Sequence, residues 1–435
     1  MDVMPSNLAT PAAPASLPAA DRARLWLATR IGDAVALASR IAGKGSGASI
    51  RGQILTRIAP DAFAQLLQGR RVLAVSGTNG KTTTTHLLAA AVRTGLGPDA
   101  GRLVTNADGA NLHYGIASAL SQQLSADIAV IETDERVVSD MIAKARPELL
   151  VLLNFSRDQL DRHHEIKSLG RAWRIALEAA GDAGPTIVAN SCDPLVVWSA
   201  GTAARVIWVE TATVWNADGA LCPACGTVLA HAKTPAGARW TCPACGLHQP
   251  EAEYLVSGDQ IVLPSGKMVR PDLQVPGSFN VSNAACALAA AIEFGVPLPK
   301  ALAGMHTVTS PAGRFATTTF GTTTARLLLA KNPAGWAEAL PLATSDPVVL
   351  AIDSVAADGK DVSWLWDVPY EQLAGRKVIC TGPRAQDLAV RLSYAGVEHE
   401  IEPDLRAALG ERARTVDVIA TYTPFQKLLK MAGLR

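Results

Sequence analysis

Residues 72 to 83 read Val72-Leu-Ala-Val-Ser-Gly77-Thr-Asn-Gly80-Lys81-Thr-Thr83. The apolar start predicts a short buried strand, the glycines predict a turn, and a helix is expected to begin at Lys81. Backbone N–H groups of such a turn point inward and a helix N-terminus is positive, so the turn favours a bound polyphosphate. The residues expected to contact a nucleotide are Gly77, Thr78, Asn79, Gly80, Lys81, Thr82 and Thr83.

Two side chains of this phosphate loop have distinct expected roles. Lys81 is expected to reach the outer phosphates, and the Thr82 hydroxyl is expected to hold Mg²⁺. The strict phosphate-loop pattern has a glycine where Val75 stands, so the loop is a variant of that pattern. A chance glycine turn before a helix is the alternative, and the order of strand, turn, Lys-Thr and helix argues against it.

Outward from the loop, apolar strands alternate with helical stretches. Residues 71–75, 127–131 and 149–153 are predicted strands, and residues 81–94 a helix. Such alternation predicts an α/β fold with a parallel sheet covered on both faces. Nearer the start, residues 21–42 are predicted to form a helix with apolar positions such as Leu25, Leu27, Ile31 and Ala34, and the glycine-rich residues 43–52 are predicted to be a loop.

The same alternation starts again in the C-terminal third. The predicted elements there are strands at residues 326–330, 348–352, 377–381 and 416–420 and a helix at residues 387–395, with an earlier helix at residues 281–294. We therefore expect a disordered N-terminus at residues 1–20, a domain with the phosphate loop at 21–312 and a smaller α/β domain at 313–435. A small insert is expected at about residues 215–250 of the first domain.

Composition limits the classes of function. The chain has 435 residues, 49% of them hydrophobic, and a net charge of +1. With basic and acidic residues nearly equal, no overall basic field is expected to attract nucleic acid or an anionic membrane. No apolar run is long enough to predict a transmembrane helix, so a small-molecule partner is expected. The chain has seven cysteines, an odd number, and its sequence shows no secretory signal. Together these features predict a cytoplasmic protein with reduced thiols.

Four of the cysteines form two knuckles. Cys222-Pro-Ala-Cys225 and Cys242-Pro-Ala-Cys245 are separated by sixteen residues. Each Cys-x-x-Cys can present two thiolates to one ion, and four thiolates complete a tetrahedral Zn²⁺ shell with no open position. We expect a structural zinc that stabilises an insert too small for its own core. A redox dithiol and an iron site are the alternatives.

The phosphate loop resembles that of the Mur ligases and the related folylpolyglutamate synthases. Further similar segments follow in order: Glu132 after a strand, Asn154-Phe-Ser-Arg-Asp-Gln-Leu-Asp-Arg-His163, Pro276-Gly-Ser-Phe-Asn280-Val-Ser-Asn283, and Gly313-Arg314-Phe315. The resemblance implies ATP as cofactor, Mg²⁺ held by Thr82, Glu132 and His163, adenine near Asn280, and phosphates near Arg314. Gln159 and Ala316 depart from the family, which has His and Glu there.

The C-terminal third is similar to one branch of this family, the MurT subunits. The similar segments are Arg326-Leu-Leu-Leu-Ala-Lys-Asn-Pro-Ala-Gly-Trp336, residues 357–367, Thr381-Gly-Pro-Arg-Ala and Tyr422-Thr, together with the Cys₄ insert. The resemblance implies a ligase subunit that activates the D-glutamate α-carboxylate of lipid II for amidation. It also implies a glutaminase partner of the GatD type and a place at the inner face of the membrane through the lipid substrate.

A functional aspartate is implied in this branch, thought to complete the Cys-His pair of the glutaminase. Asp358 and Asp361 are the candidates. Asp358 is preferred because Asp358-Gly359 is a turn signal, and a turn tip is expected to be exposed. Trp364 and Trp366 alternate, so one of them is expected to pack inward.

Two other classes of function compete with this interpretation. One is a free-standing ligase that adds an amino acid, as Mur ligases and folylpolyglutamate synthases do. The other is a zinc-ribbon binding protein that uses ATP to switch a contact and catalyses nothing. The C-terminal motifs argue against the first, and the near-zero net charge argues against a nucleic-acid form of the second.

Overall fold

The computed structural model describes residues 17–41, 48–106, 110–157, 166–211, 217–234, 237–309, 315–355, 358–410 and 415–434. The helices are α1 Ala19–Ile41, α2 Ala48–Ile58, α3 Ala62–Leu67, α4 Lys81–Leu96, α5 His113–Leu120, α6 Val138–Asp140, α7 Ile166–Ala180, α8 Pro194–Ala200, α9 Phe279–Glu293, α10 Leu298–His306, α11 Pro333–Ala339, α12 Ala385–Tyr394, α13 Leu405–Leu409 and α14 Tyr422–Met431.

The strands form three sheets among these residues. They are β1 Arg71–Ser76, β2 Leu103–Thr105, β3 Ile128–Glu132, β4 Leu149–Leu152, β5 Thr186–Asn190, β6 Val206–Glu210, β7 Ala230–Thr234, β8 Gly237–Thr241, β9 Tyr254–Ser257, β10 Gln260–Val262, β11 Met268–Val269, β12 Phe315–Phe320, β13 Thr323–Leu329, β14 Val348–Ala351, β15 Val378–Thr381, β16 His399–Ile401 and β17 Thr415–Ala420. The predicted strands and helices around the phosphate loop and in the C-terminal third agree with these bounds to within a few residues.

The first sheet has nine strands in the order β11-β10-β9-β6-β5-β4-β1-β3-β2. In this order, every pair from β9 to β2 is parallel, whereas the β9–β10 and β10–β11 pairs are antiparallel. In β1, Leu73 and Val75 face the core under α4, α9 and α10, whereas Val72 and Ala74 face the core under α1, α5 and α7. A central parallel strand buried on both faces needs a continuous apolar run, and that run is what the sequence shows.

The second sheet has six strands in the order β12-β13-β17-β14-β15-β16. β12 is antiparallel to β13 and the other pairs are parallel. Val348 and Leu350 of β14 pack under α11 and α12, and Val349 and Ala351 pack under α13 and α14. The expected α/β class is confirmed, with two sheets in which most neighbouring strands are parallel.

One prediction about the N-terminal region was wrong. Of residues 43–52, which were expected to be a loop, residues 43–47 lie outside the described part of the chain, and Ala48 already begins α2. The glycine at 52 serves helix packing, because a Cβ there would lie 2.1 Å from the carbonyl oxygen of Tyr114 at the start of α5. Of the expected disorder at residues 1–20, residues 1–16 lie outside the described part of the chain, and α1 begins at Ala19.

The cysteine insert is a small separate layer between β6 and β9. Its hairpin pairs β7 with β8 antiparallel. Trp240 of β8 is buried against Leu229 and against Val197 of α8, so the insert packs on the first sheet domain. Within the described residues, none of the helices has both the length and the apolar character to cross a membrane.

Candidate functional site

The phosphate loop joins β1 to α4, and two glycines make its shape possible. Gly77 has φ +138° and Gly80 has φ +83°, backbone conformations that other residues rarely adopt. A Cβ on Gly80 would also lie 2.3 Å from the side-chain oxygen of Asn283 in α9. The loop therefore lies against α9, and its backbone can approach a ligand closely.

Lys81 is buried at the first position of α4 and is held by the loop. Its Nζ donates to the carbonyl oxygens of Gly77 and Thr78 and pairs with Glu135 Oε2 at 3.1 Å. An ammonium held by carbonyls and one carboxylate is ready to exchange these partners for phosphate oxygens. Glu135 was missed by sequence reasoning, because no motif signals a contact across 54 residues.

The segment after β4 forms the second wall of the loop. The Asn154 side chain accepts from the Asn79 backbone N–H at 2.9 Å and donates to the Asn79 carbonyl at 3.1 Å. Asn79 Nδ2 donates to Ser156 Oγ at 3.0 Å, and the Ser156 N–H donates to Thr78 Oγ1 at 3.0 Å. These bonds fix the loop before any ligand arrives. The later part of this segment, including His163, lies outside the described residues.

Glu132 ends β3 next to the loop, because β3 pairs in parallel with β1 and places Glu132 opposite Val75. The residue is 1% exposed. Its Oε1 accepts from Asn111 Nδ2 at 3.0 Å, whereas Oε2 is buried with no hydrogen-bond partner among the described residues. An unpartnered buried carboxylate oxygen is costly unless a cation binds it, and carboxylate oxygens are the ligands Mg²⁺ prefers. The site thus fits a divalent cation beside the phosphate loop.

A cavity of about 190 Å³ opens from the loop. Asn280 of α9 lines it and is tied in place, with Nδ2 donating to the Pro276 carbonyl at 2.6 Å and Oδ1 accepting from Asn283 at 3.0 Å. His231 of β7 also lines the cavity, so the cysteine insert contributes one wall. Arg314, expected near the phosphates, lies outside the described residues.

The second sheet domain closes this cavity with α11. Asn332 caps the helix by accepting from the Gly335 N–H at 2.9 Å, and its Nδ2 donates to Asn79 Oδ1 at 3.2 Å. Glu338 of the same helix lines the cavity, and burial raises the pKa of its carboxyl to about 7. The cavity is therefore built from both sheet domains, and one hydrogen bond joins the second domain to the phosphate loop.

Asp193 is a further acid on the cavity wall, and it is half-buried. It caps α8 by accepting from the N–H groups of Leu195 and Val196, and it accepts from the Phe155 N–H at 2.7 Å. Burial, opposed by these hydrogen bonds, raises the pKa of the Asp193 carboxyl to about 6. These bonds assign it to holding the segment after β4 in place.

The expected exposure of Asp358 was wrong. The residue is 2% exposed, because its Oδ1 accepts from the Thr423 N–H at 2.8 Å at the start of α14. Its Oδ2 is buried without a hydrogen-bond partner among the described residues. Asp358 and Asp361 both line a second, smaller cavity between the sheet domains, whose wall also includes Arg157.

Asp361 differs from Asp358. It is exposed, and its Oδ1 accepts from the Ser363 N–H at 2.8 Å, the pattern of a loop-capping aspartate. Arg157 spans the domains nearby, paired with Asp218 of the first and Asp367 of the second. Trp364 is buried and Trp366 is 53% exposed, which confirms that one of the two packs inward.

The four cysteines of the insert come together. Their sulfur atoms all lie within 4.8 Å of one another, with Cys222 3.6 Å from Cys245 and Cys225 3.5 Å from Cys242. Gly226 and Gly246 follow the knuckles with φ of +80° and +75°. This grouping is compatible with one tetrahedral zinc ion, and among the described residues it is the cluster whose ligand atoms converge in this way.

A two-sheet α/β chain with a phosphate loop, a buried strand-end carboxylate and an interdomain cavity defines an ATP-dependent ligase of the Mur type. The Mur ligase middle domain model matches residues 75–218. Among solved structures, a pseudomurein peptide ligase type C from Methanothermus fervidus aligns with a TM-score of 0.64 at 17% identity, covering 84% of this chain and 79% of that one. MurF from Acinetobacter baumannii aligns with a TM-score of 0.59 at 16% identity, covering 88% and 81%. These likenesses show the fold.

The MurT ligase C-terminal model matches residues 329–425. The MurT subunit of lipid II isoglutaminyl synthase (glutamine-hydrolysing) from Staphylococcus aureus strain N315 is 30% identical, over 94% of this chain and 97% of the relative. The corresponding subunit from Streptococcus pneumoniae is 27% identical, over 90% and 93%. The chain belongs to the MurT family and is a carbon–nitrogen ligase subunit. This membership disfavours both the free-standing amino-acid ligase and the non-enzymatic switch.

Proposed function

We propose that this chain activates the D-glutamate α-carboxylate of the lipid II stem peptide with ATP, so that ammonia from a glutaminase partner of the GatD type converts it to D-isoglutamine. The observation that carries the proposal is that one site contains both the held phosphate-loop lysine, Lys81, and the buried Glu132, whose Oε2 has no hydrogen-bond partner among the described residues. The names of the Staphylococcus and Streptococcus relatives supply the substrate and the nitrogen source.

The reaction has two balanced steps. A carboxylate oxygen of the substrate attacks the γ-phosphorus of ATP, the bond to ADP breaks, and an acyl phosphate forms. Ammonia then attacks the acyl carbon, inorganic phosphate leaves, and the nitrogen loses a proton as the amide forms. Neither step needs a covalent bond to the protein, so the work of the chain is positioning and charge stabilisation.

Different residues are proposed to provide the positioning and the charge stabilisation. Lys81 neutralises charge on the outer phosphates after exchanging its loop carbonyls for phosphate oxygens. Thr82, Glu132 and His163 are the proposed ligands of Mg²⁺, which would neutralise the charge that develops on the phosphate oxygens. The nucleotide lies along Gly77–Thr83, with its base in the cavity beside Asn280. Arg314 is proposed to reach the phosphates from the start of the second domain.

Outside the four-cysteine cluster, the described cysteines offer no activated nucleophile for glutamine, which supports a source of ammonia in a partner. Burial raises the pKa of the Cys286 thiol and of the Cys380 thiol to about 12 in each case, which keeps both protonated. Cys192 is half-buried and its thiol donates to the Thr211 carbonyl at 3.2 Å. A separate glutaminase is therefore part of the proposal.

Asp358 is proposed to serve that glutaminase. Its Oδ2 has no partner among the described residues and borders the smaller interdomain cavity. A carboxylate in this state can orient and stabilise a histidine of the partner, as the acid of a catalytic triad does. Asp361 remains a second candidate, although its carboxylate already caps the Ser363 N–H.

The cysteine cluster is proposed to hold a structural Zn²⁺ that fixes the insert against the cavity. Cys222→Ser should lose the metal and loosen the insert, because the binding energy of a structural zinc is folding energy. Metal analysis of purified wild-type protein and of Cys222→Ser tests this, with Cys380→Ser as the matched control. Wild-type protein that carries iron, or only traces of zinc, refutes the assignment.

The proposal places the chain in the cytoplasm, at the inner face of the membrane where its substrate is anchored. The decisive experiment supplies lipid II, ATP and Mg²⁺ to the chain with and without the glutaminase, using glutamine or ammonium as the nitrogen source. Amide is expected from glutamine only with both subunits, and from high ammonium with this chain alone. Glutamine hydrolysis by this chain alone removes the two-subunit scheme, and amino-acid addition without a partner supports the free-standing ligase instead.

A further inference from the structure

The outer face of α1 is unusually apolar. Trp26, Leu27, Ile31, Leu37 and Ile41 are 59, 48, 39, 52 and 81% exposed. Leu25, Ala28 and Ala36, on the opposite side of the same helix, are buried against the first domain. A helix on the surface of a soluble protein normally turns polar residues outward, so this helix is apolar on both its inner and its outer side.

The exposed side chains form one continuous surface, which we call the α1 face: Trp26, Leu27, Arg30, Ile31, Leu37 and Ile41. At about 100° per residue, positions 26, 30, 37 and 41 fall on one stripe, and positions 27 and 31 lie beside it. The Arg30 guanidinium lies over the Trp26 ring, with its carbon 5.7 Å from the ring centroid. A cation thus lies within the exposed apolar area, and the acid that borders it, Asp33, is paired with Arg51.

The charge around this face is strongly positive. Residues 19–58 contain seven basic side chains and two acidic ones, a net charge of +5, so the rest of the chain carries −4 to give the total of +1. Of the two acids, Asp33 is paired with Arg51 at 2.7 Å. Arg22, Arg24 and Arg30 are exposed on α1. Basic charge is therefore concentrated in the segment that exposes the apolar face.

We propose that the α1 face docks on an anionic membrane surface. Tryptophan is favoured at the boundary between headgroups and acyl chains, leucine and isoleucine bury just below it, and arginine keeps its head at the phosphates while its stem covers apolar surface. Exposed arginines add attraction to anionic lipid. The α1 face has this composition, and its inner side is already held by the protein.

Charge argues against other occupants of the face. A second copy of the chain would bring two α1 faces together, each with the exposed Arg22, Arg24 and Arg30, and these like charges repel each other. Residues 1–16 carry a single charged side chain, Asp2, and so cannot balance this charge. An anionic lipid surface supplies both the negative charge and an apolar layer.

The α1 face lies close to the proposed active site. The connection between this face and the lipid-linked substrate rests on the proposed function. α1 packs on α2, and α2 packs on α5 through the close contact at Gly52. α5 begins at His113, two residues after the Asn111 that holds Glu132. A membrane under α1 therefore lies two helices away from the site where the carboxylate of a lipid-linked substrate would be activated.

Vesicle flotation of the full-length chain tests the proposal, with vesicles of phosphatidylcholine alone or mixed equally with phosphatidylglycerol. Wild-type protein should float with the mixed vesicles and less so at high salt. The triple variant Trp26→Ser, Leu37→Ser, Ile41→Ser should bind at least about tenfold more weakly. A second triple variant, with Arg22→Gln, Arg24→Gln and Arg30→Gln, should lose the preference for phosphatidylglycerol. The control Met268→Ser, Val390→Ser, Tyr394→Ser, at comparably exposed positions elsewhere, should bind as wild type does.

The outcomes are separable. Absence of wild-type flotation, or equal flotation of the apolar triple variant, overturns the proposal. A dimer in light scattering that this variant abolishes assigns the face to a second copy instead, and stronger lipid binding after removal of residues 1–16 assigns it to that segment. The vesicles contain neither lipid II nor nucleotide, so failure of the proposed reaction leaves this result unaffected. Amidation of a water-soluble peptide substrate should be the same in the triple variant as in wild type.

Discussion

Glu132 and Asp358 occupy matching places in the two sheet domains. Glu132 ends the parallel strand β3, and Asp358 follows the parallel strand β14. Both are almost fully buried, and each has one carboxylate oxygen in a hydrogen bond and one without a partner among the described residues. Their surroundings differ, since Glu132 lies beside the phosphate loop whereas Asp358 borders a small cavity between the domains.

We propose that the same local arrangement serves a different chemistry in each domain. In both places the fold fixes one oxygen with an N–H donor, the Asn111 amide for Glu132 and the Thr423 backbone for Asp358. The other oxygen is available to a ligand. For Glu132, beside the phosphate loop, the proposed ligand is a metal ion, and for Asp358, at the domain boundary, it is a side chain of the partner.

The largest effect is expected in the phosphate loop, beside Glu132. Lys81→Ala should abolish amidation with glutamine and with ammonium alike, because loss of charge neutralisation on the phosphates removes several kcal/mol of transition-state stabilisation. Lys267→Ala, an exposed lysine far from the loop, is the control. Circular dichroism should show an unchanged fold. Wild-type turnover in Lys81→Ala would remove the phosphate-loop assignment.

Asp358→Asn should impair the use of glutamine without impairing the use of ATP. Glutamine-dependent amidation should fall by about 10²–10⁴-fold, because a neutral amide no longer stabilises a charged partner histidine. Activity with ammonium and ATP binding should persist, since the Asn oxygen can still accept from Thr423. Asp361→Asn is the matched comparison and should have a smaller effect, as its carboxylate is exposed and caps Ser363. Equal, wild-type rates in both variants with glutamine exclude both residues from the mechanism.

Glu132→Gln should impair the use of Mg²⁺ instead of the use of glutamine. The Gln oxygen can still accept from Asn111, but its amide nitrogen cannot bind a cation, so half-maximal activity should need about 10–100-fold more Mg²⁺. The loss should be the same with either nitrogen source. Titration of Mg²⁺ at saturating ATP measures it. An unchanged Mg²⁺ requirement would contradict the proposed metal role.

A smaller effect is expected at Glu338, a half-buried acid on the wall of the cavity beside the phosphate loop. Burial raises its pKa to about 7, so the folded protein holds this proton more tightly than the unfolded chain does. Its contribution to stability is therefore lost as pH rises from about 4.5 to 7, and the cost is complete above that range. Glu338→Gln should be more stable than wild type at pH 8 by about 1–3 kcal/mol, and no more stable at pH 4. Thermal unfolding at both values measures this, with the exposed Glu398→Gln as control.

Local features of the site could be predicted from the sequence, and features made by distant segments could not. The phosphate loop follows from a contiguous strand, turn and helix, and Glu132 follows from being the last residue of an apolar run. The burial of Asp358 depends on Thr423, 65 residues later. A turn signal gives the local backbone shape, but whether the turn is covered depends on a helix that packs on it.

The helix α1 shows the same limit. Its apolar positions predicted a helix correctly, but of the four that were quoted only Leu25 is buried, whereas Leu27, Ile31 and Ala34 are exposed. Periodicity identifies the element and not which of its apolar residues meet the core. The cysteine spacing was more informative, because four thiol ligands in two knuckles leave few other arrangements.

The hydrogen bond between Asn79 and Asn332 joins residues 253 positions apart. A ribosome that adds about 5–20 residues per second needs roughly 13–50 s to cover that distance. During this interval the phosphate loop can already be folded on its own sheet while the helix that closes the cavity has yet to be made. We therefore expect a nascent chain to bind nucleotide weakly at first and to gain its full affinity only late in translation.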